Sequence, residues 1–190
     1  MALIPTPSQT AGPYFHLGCT KTHSVSCLAS EKAKGDRVWL HCRVLDGDGT
    51  PVNDAMVELW QADSEGRYLH PEGGQNPDGV LHCQGFGRLA TDEHGECVFE
   101  TIKPGAVVGP DESLQAPHIN LSIFARGLLT RLATRIYFAG DLANNGDPIL
   151  ALVPEERRAT LMAQPELQGP GHWNFEIHLC GEHETVFFDI

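Results

Sequence analysis

Short runs of alternating apolar and polar residues dominate this chain. From Arg37 to Val44, RVWLHCRV sets Val38, Leu40, Cys42 and Val44 on one face, the period of two that marks a half-buried strand. Asp46-Gly47-Asp48-Gly49 supplies turn formers and Val52 to Trp60 resumes an extended run, so these two segments are predicted to pair. Further strands are predicted over Gly87 to Ala90 and Cys97 to Ile102, either side of a turn, and over Arg131 to Phe138, Trp173 to Leu179 and Thr185 to Phe188. In Pro117 to Phe124, PHINLSIF, the alternation places His118 and Asn120 side by side while Ile119, Leu121 and Ile123 face the other way.

One helix is predicted, over Pro154 to Ala163, because proline at the first position and acidic residues in the first turn suit a helix start. Two long segments rich in Gly, Pro and polar residues, Ala62 to Gly87 and Ala106 to Ala116, read as loops of functional or covering type. The first 35 residues show no periodicity and read as an arm lying across the body or across a neighbour. Many short strands between turns indicate an all-β fold: a β-sandwich of mostly antiparallel strands with long loops, an N-terminal arm and one short helix. A single domain over residues 1–190 is expected from the length.

Composition narrows the functions. With 41% hydrophobic and 20% charged residues the chain belongs among ordinary globular proteins, and no apolar run approaches the roughly 20 residues that span a bilayer. The opening MALIPTPSQTAG lacks both a basic start and a sustained apolar stretch, so no secretory signal is read and a cytoplasmic location is expected. A formal charge of -12 disfavours nucleic acid as a partner; a small anionic ligand would need a local arginine. The six cysteines are scattered without CxxC pairing, which argues against a structural zinc site and for buried or peripheral thiols.

Ten histidines invite a metal site, yet the neighbouring pairs are weak. His82 beside Cys83 and His41 beside Cys42 face opposite ways on a strand. His178 shares a face with Glu176, and His118 with Asn120, whose neutral amide is a weak ligand beside imidazole, thiolate or carboxylate. Nucleophile elbows of the GxSxG type and phosphate loops are absent. The block Thr6 to Phe15, TPSQTAGPYF, is stiffened by Pro7 and Pro13 and carries hydroxyls on Thr10 and Tyr14; it reads either as the wall of a flat polar ligand site or as a turn packed on the sheet.

Several motifs in order, TPSQTAGPY (6–14), ELWQAD (58–63), Gly87-Arg88 followed by Thr91-Asp92 and Gly95, TIKPG (101–105), APHINLSIFARG (116–127), TRIYF (134–138) and ETVFFD (184–189), resemble the intradiol ring-cleavage dioxygenases. Within that family the likeness is to the α-type chains of its two-chain, protocatechuate-cleaving members. Such a resemblance implies a non-haem Fe(III) held by two tyrosines and two histidines. Here no tyrosine lies between Leu69 and Gly87, Ala106-Val107-Val108 follows KPG, and the HxH strand is His118-Ile119-Asn120. On that comparison only His118 of the four ligands remains, and Tyr14, Tyr68 and Tyr137 fall outside the ligand positions. The resemblance therefore implies no metal and no catalytic residue in this chain, with Fe(III) on a partner β subunit. It also implies that Thr10, Gly12, Pro13, Tyr14 and Arg135 complete the pocket for protocatechuate and dioxygen. Two other readings stay open: a self-sufficient iron enzyme using His82, His178 or Glu176, and a non-enzymatic binding module.

Overall fold

A computed structural model describes residues 4–68, 82–109, 111–166 and 169–189. The segment 69–81, half of the first predicted loop, lies outside the described residues. Helix α1 (Pro13–Cys19) precedes strands β1 (Arg37–Leu45), β2 (Met56–Gln61), β3 (Phe86–Ala90), β4 (Glu96–Ile102), β5 (Val107–Val108), β6 (Leu114–Gln115), β7 (His118–Phe124), β8 (Leu132–Phe138), β9 (Met162–Pro165) and β10 (His172–His178). Eight strands run in the order β3-β2-β7-β8-β9-β10-β1-β4, and β5 pairs with β6 apart from them. Most pairs are antiparallel, with β1–β10 and β8–β9 parallel.

Strand β9 pairs with β8 on one side and β10 on the other, so it stitches together two layers, β3-β2-β7-β8 and β10-β1-β4. The alternation read in the sequence fills the space between them. Leu40 and Val44 of β1, Phe99 of β4, and Phe175 and Ile177 of β10 meet Val57, Leu59, Ile119, Leu121, Ile123 and Ile136 from the other layer. Each such side chain contributes about 1.5–3 kcal/mol on full burial. The all-β sandwich is therefore what the structure shows.

The arm lies across its own body. Isolated bridges join Val25 to Arg88 of β3, Cys27 to Glu100 of β4 and Ala29 to Cys83. Leu28 is buried beneath Gly87, where an added Cβ would stand 2.9 Å from Leu28 and 3.0 Å from the Phe99 ring. Glycine at 87 is thus a packing requirement, and the adjacent Arg88 binds Glu58 across β2–β3 through Nε at 2.8 Å.

Three expectations change. The arm, read as aperiodic, contains the α-helix, which Pro13 starts at its first position. Over Pro154 to Ala163 the chain instead forms a 3-10 helix at Glu155–Leu161 and then enters β9. Pairing at the seam between the layers recruits the backbone of Met162 and Ala163, overriding a local helical preference. The predicted strand Thr185 to Phe188 is an irregular tail whose backbone bonds go to separate elements: Thr185 N to His178 O, Val186 N to Thr160 Oγ1 and Phe188 N to Ala133 O.

Candidate functional site

Because Ile119, Leu121 and Ile123 enter the core, His118 and Asn120 stand on the outer face of β7. Register sets His118 opposite Tyr137 and Asn120 opposite Arg135 on β8. Leading into β7, the backbone N–H of Ala116 is held by the buried Asp147 carboxylate at 2.7 Å. That carboxylate also accepts from Leu150 N at 2.7 Å, Ile149 N at 2.9 Å and the Tyr137 hydroxyl at 3.0 Å. Four donors satisfy a charge that would otherwise be expensive to bury.

A third element reaches this face from β2. After Gln61 the chain turns on Asp63, whose Oδ1 accepts from Glu65 N and Arg67 N, both at 2.9 Å. The turn presses against Gly105 of the TIKPG motif, where a Cβ would lie 2.6 Å from both Gly66 N and Ser64 O. Tyr68 is thereby delivered to this face and stacks on Trp60 at 6.1 Å with rings 3° from parallel. Its hydroxyl lies 3.4 Å from His118 Nε2 and accepts from Asn120 Nδ2 at 3.1 Å. The sequence reading set Tyr68 aside; the fold brings it to His118. The Asp63 turn with glycine at 66 marks only a local reversal; bringing Tyr68 to His118 also takes the distant Gly105.

His118 donates through Nδ1 to Ala116 O at 2.8 Å, leaving Nε2 as acceptor toward Tyr68. Burial, reinforced by the Arg135 guanidinium, holds its imidazole below the ordinary histidine range. Burial likewise pushes the Tyr137 phenol well up. Arg135 Nη1 donates to Gln115 Oε1 at 2.8 Å. One phenol, one neutral imidazole and an amide turned to donate, with a fixed cation beside them, do not suit a ferric ion, which needs several hard anionic donors.

The other predicted site residues gather elsewhere. Thr10 Oγ1 accepts from Gly127 N at 2.7 Å, and Phe15 of α1 packs on Phe124 at 5.5 Å. A cavity of about 310 Å³ there is lined by Thr10, Gly12, Phe124 and Arg131 among others. Gly12 caps α1, Pro13 is its first residue and Tyr14 is 88% exposed. Six residue steps along β7 separate His118 from Phe124, about 20 Å. Arg135 is thus not brought to the Thr10 block; the arginines adjoining that block are Arg131 and Arg126, the latter paired to Asp54 at 3.1 Å.

His82 lies beside the arm, with Nδ1 3.4 Å from the Ser30 hydroxyl. His178 Nε2 lies 3.6 Å from Glu176 Oε2 on β10, in the opposite layer.

A family model described as "Dioxygenase" matches residues 10–176. The protocatechuate 3,4-dioxygenase alpha chain of Burkholderia cepacia is 41% identical over 202 residues, covering 99% of this chain and 98% of that relative. This chain belongs to the intradiol ring-cleavage dioxygenase family. The beta chain from Burkholderia cepacia is a more distant member at 37% identity, covering 80% of this chain and 67% of its own. Among solved structures, the dioxygenase domain of a carbohydrate-binding fusion protein from Streptomyces sp. SirexAA-E superposes with a TM-score of 0.63 at 25% identity, over 96% of this chain and 100% of that one. The intradiol motifs of the sequence now have physical roles. ELWQAD contributes the buried Gln61, bonded to Ile102 O at 3.0 Å and Thr101 Oγ1 at 2.9 Å. Gly87-Arg88 receives the arm, and TIKPG braces the loop that carries Tyr68.

Proposed function

We propose that this chain is the α-type subunit of a protocatechuate 3,4-dioxygenase. It assembles in the cytoplasm with an iron-bearing β partner and completes that partner's substrate pocket. The reaction breaks the bond between the two hydroxyl-bearing ring carbons of protocatechuate and adds one atom of dioxygen to each, giving β-carboxy-cis,cis-muconate. Fe(III) on the partner supplies the redox chemistry; this chain binds and orients. The observation that carries the reading is the donor set around His118: Asn120 stands where a second imidazole would be needed, and Arg135 lies beside it. End-to-end similarity to a relative named as an alpha chain supports the same conclusion.

Thr10, Gly12, Pro13 and Tyr14 form the wall offered to the partner's substrate, since Tyr14 is exposed and α1 holds the block stiff against Phe124. The substrate carboxylate is met by an arginine. Arg126 is favoured over Arg135 because it precedes the Gly127 that bonds Thr10; both are engaged within the chain, Arg126 by Asp54 at 3.1 Å and Arg135 by Gln115 at 2.8 Å.

Oxygen uptake with protocatechuate and iron content, measured on this chain alone and after co-expression with a β-type partner, test the proposal. Iron and turnover only in the complex are expected. Stoichiometric iron and activity in the lone chain would overturn it, and no gain on adding the partner would favour a non-enzymatic module.

A further inference from the structure

On the opposite outer face of the sandwich, three strands converge on a group that the ring-cleavage reading does not use. Leu40, Cys42, Phe175 and Ile177 point into the core, so His41 of β1 and His172 of β10 point outward. Trp39 pairs with His172 in register, and their rings stack at 4.8 Å and 10°. Beyond β9, Glu166 N donates to His172 O at 2.9 Å, which continues the antiparallel register and puts the Glu166 side chain on the same face.

The three side chains meet there. His41 Nε2 lies 3.0 Å from His172 Nδ1, and His172 Nδ1 lies 3.9 Å from Glu166 Oε2. All three ligand atoms fall within 4.8 Å of one another, and each residue is half-buried. Metal–ligand bonds of about 2.0–2.1 Å place neighbouring donors of a tetrahedral zinc site about 3.3 Å apart. The histidine pair is close to that spacing, and a small rotation of the Glu166 side chain supplies the third donor. His41 and Glu166 also border a cleft of about 610 Å³, from which an ion held there is reachable.

We propose that His41, His172 and Glu166 form a binding site for a divalent ion of the zinc class. Two imidazoles and one carboxylate make a borderline-soft donor set that suits Zn²⁺ and leaves a fourth position for water. The chain's net charge of -12 favours the cation. On binding, the nitrogen that donates in the His41–His172 hydrogen bond gives up or relocates its proton, so that both lone pairs face the ion. The ion joins β1, β10 and the end of β9 at the seam between the layers, so it acts as a structural clamp.

The test uses the full chain, freed of metal with a chelator and titrated with Zn²⁺ and with Co²⁺ as a coloured stand-in. One equivalent is expected to bind with a rise in Tm. The cobalt form should show visible ligand-field bands of nitrogen and oxygen ligation, without the near-ultraviolet thiolate band that the cysteines would give. Glu166→Gln and His172→Asn should each weaken binding at least about tenfold, with Glu166→Gln retaining the metal-free Tm and so reporting on binding in a folded chain. Saturable binding of equal affinity in the parent chain and in Glu166→Gln, cobalt ligation by thiolate, or no bound equivalent would overturn the site.

Discussion

Around His118 the polar side chains bond to one another: Tyr68 to Asn120, Arg135 to Gln115, Tyr137 to Asp147. Around Thr10 the surface is more open: Tyr14 is 88% exposed and a cavity lined by Thr10, Gly12 and Phe124 lies in the same block, although Thr10 bonds Gly127 N and Arg126 pairs with Asp54. One region resembles a binding site whose donors have been turned inward and satisfied. The other is a stiff surface with an exposed aromatic side chain. A subunit that lends shape to a partner's chemistry is served by that division, because preorganised walls raise the rate without touching the reacting centre.

The contrast is broken most severely at Asp147. Asp147→Ala strands four donors at once, and should lower unfolding free energy by about 3 kcal/mol or more in urea denaturation, disordering the support of His118. The Thr10 block, on the far end of β7, gives no such support to the core.

Arg126→Ala and Arg135→Ala sharpen it in the assembled complex. The first should lower kcat/KM for protocatechuate by about tenfold to a hundredfold, the scale of a lost charge-assisted contact. Arg135→Ala should give the smaller loss, with the complex still formed in both. A larger effect at Arg135 would reverse the assignment of roles between the two regions.

Acidity separates them again. The folded chain holds His118 below its ordinary value of about 6.5, so the unfolded chain takes up that proton first. The contribution is complete above about pH 6.5 and is lost as pH falls toward the folded value, by up to about 1.4 kcal/mol per pH unit. His118→Gln should flatten that part of a stability profile measured by thermal unfolding between pH 4 and 8. Smallest is Thr10→Val, which deletes one exposed acceptor for Gly127 N and should cost about 1 kcal/mol or less, while still lowering turnover in the complex.

What could be read from the sequence followed periodicity. The core strands declared themselves through Val38 to Val44 and Ile119 to Ile123, since a period of two with β-branched residues has few other uses. Asn120 could be recognised for the same reason, because its face was fixed by its neighbours. Tyr68 was not legible: its position depends on a turn at Asp63 and on Gly105, two residues from distant motifs whose meeting no local pattern announces. The 3-10 segment at 155–161 was misread because the pairing demand of β9 is tertiary. Arg135 entered through the family resemblance and not through periodicity, since strand position alone says nothing of which end of a 20 Å strand a ligand occupies.

The arm has a further consequence. The eight-strand ribbon ends at β3 and β4, and such margins carry unpaired N–H and C=O groups that invite a foreign strand. Residues 25–29 of the same chain spend their own backbone on both margins, at Arg88 and at Glu100. A neighbouring molecule therefore cannot extend the sheet at those positions until the arm is peeled away. The same few residues thus act as a built-in guard against strand-on-strand growth at Arg88 and Glu100.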